Sequence, residues 1–364
     1  MKKTILLLIT IVTISFLQMD CKDDEPIIPP NNYIPPDTTS QNFTFSTWEF
    51  GKPFATSYAN DTWVFDKNNI WVVGLFQGID TVNSQNYSDA NIVRWDGISW
   101  KPFGNNSVHL SDGVNSIYAV DTSLVYLGAG GGMYIYKNGS FILPNMNISW
   151  SLGQSINYVW ASSENNVWGV GGNGMVVHYD GTTWKNLSIS TNYQLIGVTG
   201  SKKTGIGYAV GYNSLVREYI IAKLDHGNAG ILFTTTLASV SFKDVDMLSE
   251  DTLLICGSAL FVYSLSTNTF NDSYYGQSNI NRFPYYYDRL AIISRNDQFI
   301  FGHHDYTDIT KKVYLTHYNG KRYTDELLIS RDISSYNGVS ARDGIAVFTM
   351  RSQQKAVIVT IRRN

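Results

Sequence analysis

One short turn recurs along this chain: an aromatic residue, then Asp-Gly or Asn-Gly, with a second aromatic five positions after the first. It reads Trp95-Asp96-Gly97-Ile98-Ser99-Trp100 and Tyr136-Lys137-Asn138-Gly139-Ser140-Phe141. It returns as Tyr179-Asp180-Gly181-Thr182-Thr183-Trp184 and Tyr318-Asn319-Gly320-Lys321-Arg322-Tyr323. Asp-Gly and Asn-Gly supply the positive φ angles of a tight hairpin, so each copy predicts two antiparallel strands joined there. A hairpin returning at intervals of roughly 40 residues constrains the chain to a radially repeated all-β architecture.

Each unit carries a β-rich strand, a short polar loop, a strand of the aromatic-Val-Gly type, and then the hairpin. The clearest copy runs from Asn157-Tyr158-Val159-Trp160 through Val167-Trp168-Gly169-Val170-Gly171 and Met175-Val176-Val177-His178-Tyr179 to Trp184. That is four strand-sized pieces separated by turn signals. The glycine-ended strand recurs at Trp71-Val72-Val73-Gly74, Tyr126-Leu127-Gly128, Ala209-Val210-Gly211, Ile255-Cys256-Gly257 and Ile300-Phe301-Gly302, with spacings of 40 to 54 residues. A last, degenerate copy runs Gly344-Ile345-Ala346-Val347-Phe348. Seven units of about 45 residues predict a seven-bladed β-propeller with four-stranded antiparallel blades. The last unit stops at Val357-Ile358-Val359-Thr360-Ile361 without its aromatic fourth strand, and Phe45-Ser46-Thr47-Trp48-Glu49-Phe50 has that strand's composition. The N-terminal strand is therefore expected to close the last blade and remove the open seam.

At family level the repeats resemble bacterial propeller repeats of the type V-W-x-V-G-x-x-G-x-x-x-H-Y-D-G-T-x-W, over roughly residues 60–360. The resemblance implies the fold and export from the cytoplasm. The sialidase Asp-box separates its Asp and Gly by one residue, whereas Asp180 and Gly181 are adjacent; the single Trp95-Asp96 belongs to a hairpin turn and not to a WD repeat.

Ahead of the repeats, Lys2 and Lys3 lead into an apolar run from Ile5 to Leu17, which has the layout of a secretory signal. It ends at Cys21. The arrangement resembles a bacterial lipoprotein signal, departing from it at Asp20 where a small residue usually stands; Lys22-Asp23-Asp24-Glu25 resembles the acidic export signal of Bacteroidetes surface lipoproteins. The resemblance implies that Cys21 is lipidated, palmitate-type chains included, and that the protein sits on the bacterial outer membrane facing outward. Residues 26–41, PIIPPNNYIPPDTTSQ, hold five of the nine prolines and favour an extended spacer of ~3.1 Å per residue. The expected organisation is a signal peptide over 1–20, lipidated Cys21 and tether over 21–41, and the propeller over 42–364.

A net charge of -3 and a pI near 6.1 argue against nucleic acid, which wants a basic stripe. Cys256 lies in an apolar run and is expected as a buried thiol; with Cys21 lipidated no disulfide remains, so packing must hold the fold. Trp71, Trp100, Trp168 and Trp184 hold fixed places in the repeats, which assigns them to the core.

Chemistry-bearing residues are sparse. No nucleophile elbow, phosphate loop or zinc-helix motif is present, and Gly128-Ala129-Gly130-Gly131-Gly132 lies between strands without opening a helix. His303-His304-Asp305, with Asp308, is the densest set of metal-capable side chains; adjacent histidines on a strand would face opposite ways, and the set, just after Gly302, is expected as a solvated polar blade loop, so no metal is expected. The stretch Tyr274-Tyr275 followed by Tyr285-Tyr286-Tyr287-Asp288-Arg289 reads as an aromatic inter-blade connection able to stack on sugars or anchor a protein. The long polar insertion from Gln77 to Asn91 places Tyr87 between Asp80 and Asp89 as a second candidate. These readings predict a monomeric, surface-tethered binding propeller without cofactor or catalytic residue, recognising a glycan or an envelope protein. The alternative is a polysaccharide-acting enzyme, whose paired carboxylates can come from different blades and would cluster with arginines at one mouth of the channel.

Overall fold

The computed structural model describes residues 39–51, 56–77, 90–103, 113–271, 286–303, 312–330 and 333–364. Within them, twenty-eight strands form seven four-stranded antiparallel sheets. Six sheets are simple meanders, so each strand pairs with the one before it. The seventh joins the first strand, Phe43–Phe50, to the last, Lys355–Arg363, with Trp48 opposite Ile358 and Phe43 opposite Arg363. The expected closure of the last blade is thus present. It is reinforced ahead of the strand, where the Gln41 amide donates to the carbonyls of His317 and Arg322 at 3.3 and 3.2 Å.

Blades are numbered one to seven from residue 58. Their innermost strands are Tyr58–Asp66, Val114–Asp121, Tyr158–Ser163, Gln194–Gly200, Phe242–Ser249, Tyr286–Ser294 and Ser335–Arg342. One buried apolar cluster fills each interface between neighbouring blades, as where Ile70 and Val72 of blade one meet Val347 and Ile358 of blade seven. Trp71 and Trp168 are fully enclosed, whereas Trp100 and Trp184, on outermost strands, are half-buried. Cys256 is buried and unpaired, and burial pushes its thiol pKa up.

The recurring glycines have a steric cause. A Cβ at Gly74 would lie 2.1 Å from the Tyr58 carbonyl oxygen, and one at Gly302 would lie 2.1 Å from that of Tyr286. Only a residue without Cβ lets the innermost strand start so close to its neighbour.

The hairpin signature also has a physical origin, with one correction. Gly97, Gly139, Gly181 and Gly320 all take positive φ, between 85° and 93°. Only Asn138 joins its glycine there, as a mirror-image turn with two positive φ values requires. In the other three the Asx side chain caps the turn: Asp180 Oδ1 accepts the N–H groups of Thr182 and Thr183 at 3.0 and 2.9 Å. The flanking aromatics pair across the strands, with ring centroids 5.7 Å apart for Trp95 and Trp100 and 4.4 Å for Tyr318 and Tyr323.

Candidate functional site: an axial cavity

The innermost strands run parallel around the axis, as their cross-blade bonds show: Asn60 reaches the carbonyl of Val114, and Asp61 the amide of Ile117. One register position on these strands faces the axis with a distinctive set of residues. It lies thirteen residues before the glycine marker in blades one, three, five and six, as Asp61, Tyr158, Asp244 and Arg289. In blades four and seven the position is glycine, and space demands it. A Cβ on Gly338 would come within 2.4 Å of Asp61 Cα, and one on Gly197 within 3.0 Å of Asp244 Oδ1.

The two aspartates do the same job in different blades. Asp61 accepts the amides of Thr62 at 2.8 Å and of Ile117, in the next blade, at 3.0 Å. Asp244 accepts those of Val245 at 2.9 Å and of Leu290, again in the next blade, at 3.3 Å. Asp246 repeats the pattern with Met247 and Ile292, and takes a third bond from Thr199. Each carboxylate therefore staples adjoining blades through backbone donors left open at the inner edge.

Arg289 crosses the axis. Its guanidinium donates to the carbonyls of Asn337, Lys243 and Asp288, and at 3.3 Å to the hydroxyl of Tyr158. Burial opposes its charge, but Tyr158, Asp244 and Asp288 outweigh that and hold its pKa above the ordinary arginine value. Burial pushes Asp61 up to about 7 and Asp244 to about 6, against the backbone bonds and Arg289 that favour ionisation. Burial likewise raises Asp246.

From this layer a cavity of about 730 Å³ extends to the C-terminal ends of the innermost strands, where Asp121, Lys202, Glu250, Arg342 and Asp343 are exposed. Six carboxylates (Asp61, Asp121, Asp244, Asp246, Glu250, Asp343) face three cations (Lys202, Arg289, Arg342) in its lining. Trp63 and Tyr118 form an edge-to-face pair in the wall, centroids 4.8 Å apart, with the Lys202 ammonium 5.8 Å from the Tyr118 centroid. Burial and Asp246 raise the Tyr118 pKa, so its hydroxyl stays protonated.

The candidates from sequence are distributed unevenly over this geometry. The stretch expected as an inter-blade connection is, from Tyr286 onward, the innermost strand of blade six, because its alternation continues straight into the core. Tyr286 stacks on His303, Tyr287 packs on the interface between blades five and six, and Arg289 reaches the axis. Asp288 is buried and bonded to His303 Nδ1 at 2.6 Å. His303 is the last residue of a strand, and not in a loop, sandwiched between Tyr286 and Tyr336. Cys21, Tyr87, Tyr274, Tyr275, Tyr285, His304, Asp305 and Asp308 lie outside the described residues. Among the described residues no three His, Cys, Asp or Glu side chains converge to hold a metal. Asp61, Trp63, Tyr118 and Asp244 escaped the sequence reading. The signal for Asp61 and Asp244 was there, in their constant offset from the glycine marker.

No protein-family model and no curated relative matches this chain. Solved structures do share its fold. YCF48 bound to D1 peptide is 12% identical, with a TM-score of 0.57 over 88% of this chain and 96% of that one. The extracellular domain of a one-component system from B. thetaiotaomicron is 12% identical, with a TM-score of 0.58 over 86% of this chain and 40% of that one. A catalytically inactive virginiamycin B lyase from Staphylococcus aureus with quinupristin is 12% identical, with a TM-score of 0.54 over 88% and 99%. A peptide complex and a lyase on one architecture leave function to the site.

Proposed function

We propose that this chain is a non-catalytic recognition propeller, tethered through lipidated Cys21 to the outward face of a bacterial outer membrane, and that its axial cavity engages part of a glycan or of an envelope protein. The observation that carries the reading is the cavity itself, open at one end with Trp63 and Tyr118 in its wall. Aromatic side chains with a polar tip are the usual anchors of recognition surfaces. The similar structure of YCF48 with a peptide supports a protein ligand on this architecture.

A polysaccharide-acting enzyme is the second reading, and the raised pKa values of Asp61 and Asp244 speak for it. Their hydrogen bonds speak against it. Both oxygens of each carboxylate hold backbone amides of two blades, so neither can turn toward a glycosidic oxygen without opening a blade interface.

The purified protein should be applied to a glycan array and, in parallel, cross-linked in envelope extracts, with reducing sugar assayed throughout. Binding without product is the expected result. Release of reducing sugar that disappears in Asp61→Asn and Asp244→Asn would establish the enzyme instead.

A further inference from the structure

Resting on the reading of the axial cavity as a binding site, we infer that its ligand is an extended basic segment of a partner protein, inserted with lysine or arginine side chains between the mouth and the Trp63–Tyr118 wall. Three observations point the same way. Three of the six lining carboxylates, Asp61, Asp244 and Asp246, are held by backbone amides, and the other three, Asp121, Glu250 and Asp343, stand exposed at the mouth of a cleft whose walls focus the field. Two of the cations are already committed: Arg289 to the floor, and Lys202 to the face of Tyr118.

Lys202 is also informative in itself. The chain's own ammonium, on an exposed residue, lies over an aromatic ring of the wall, so that wall already accommodates a cation. The third observation concerns donors and acceptors. The inner strands offer carboxylates and strand-edge carbonyls, such as those that Arg289 takes from Lys243 and Asn337. Ammonium and guanidinium groups bring donors only, and match such a wall. The volume of about 730 Å³ suits a short stretch of chain and not a folded domain.

The test uses the purified protein and two fluorescein-labelled octapeptides, one alternating Lys with Gly and one alternating Glu with Gly, read by anisotropy at low and at 0.5 M salt. The Lys peptide is expected to bind at least about tenfold more tightly than the Glu peptide, with the difference shrinking in salt. The double variant Glu250→Gln/Asp343→Asn should weaken it roughly three- to tenfold. Both changes keep shape, and Asn suits the positive φ of 50° at residue 343. Lys202→Ala should tighten binding roughly three- to tenfold, because it vacates the Tyr118 face and deepens the acid excess. Weaker binding by Lys202→Ala, or equal binding of the two peptides, would overturn the inference. Displacement of the Lys peptide by spermine at equal amine concentration would also overturn it, since a free amine would then suffice. Glycan binding lost in Trp63→Ala, with neither peptide bound, would remove the ligand class while leaving the cavity as the site. Silence of both peptides and of the glycan array would remove both.

Discussion

Arg289 in the sixth blade and Tyr158 in the third, 131 residues apart in sequence, meet across the propeller axis at 3.3 Å. The same guanidinium bonds the carbonyls of Lys243 in the fifth blade and Asn337 in the seventh. One side chain thus ties four blades at the centre of the ring.

Arg289→Met should therefore destabilise far more than its volume suggests. It leaves two half-buried carbonyls without donors and the Asp61 and Asp244 carboxylates without their cation, a loss of about 3–5 kcal/mol. Arg289→Lys keeps the charge but not the fork, and should fall between. Urea unfolding followed by tryptophan fluorescence measures both; a loss below about 1 kcal/mol for the Met variant would show that the axial bonds are ornamental.

Stability should respond to pH in a direction opposite to ordinary acid denaturation. Asp61 and Asp244 have folded pKa values of about 7 and about 6, above the ordinary 3.8, so the folded state keeps protons that the unfolded chain releases. Their contribution is complete below pH 4 and is lost as pH rises through 6 and then 7. Thermal midpoints should consequently fall between pH 5.5 and pH 8, and Asp61→Asn should flatten that slope whatever it does to absolute stability. Asp297 works the other way. Burial would raise its pKa, but His317 and Arg363 hold it low, so its contribution disappears only in strong acid.

The glycines facing the axis can be separated from glycines of no consequence. Gly338→Ala puts a Cβ against backbone, 2.4 Å from Asp61 Cα, and should destabilise by about 2–4 kcal/mol through a displaced strand. Gly230→Ala, in an outermost strand with nothing within 4 Å, should be neutral or stabilise by up to about 1 kcal/mol. Differential scanning calorimetry on the pair decides the matter; equal midpoints would contradict the packing described at residue 338.

Ring closure predicts a local protection pattern. The amides of Lys355–Arg363 lie between two partner strands, Ile345–Ser352 and Phe43–Phe50. Deleting residues 43–50 should leave that strand as an edge, and hydrogen exchange there should accelerate by orders of magnitude while blades two to four change little. Unaltered protection would mean that the first strand is an accessory and not the seam.

Much of the architecture was legible because it is written locally. A hairpin needs a particular pair of turn residues, and an innermost strand pressed to its neighbour needs a glycine such as Gly74 or Gly302, so both recur in phase with the blades. The unpaired aromatic strand at Phe45–Phe50 could be matched to the missing strand after Ile361 because every blade states its fourth strand in the same terms. The candidate site was less legible. Asp288 and Arg289 attracted notice for their tyrosine neighbours, and Arg289 proved to matter for a different reason, its reach across the axis to Tyr158.

Sequence alone determined the number of blades, the strand order within them and the way the ring closes, since turn chemistry and strand pairing act over a few residues and repeat. Only the tertiary structure decided which side chains meet at the centre. Asp61, Tyr158, Asp244 and Arg289 occupy equivalent positions in four blades, and their shared offset from the glycine marker gives a common register without saying that this register faces the axis. Closing the ring decides this, because it turns those half-buried groups toward the axis, where one another and the inner strand edges become their partners.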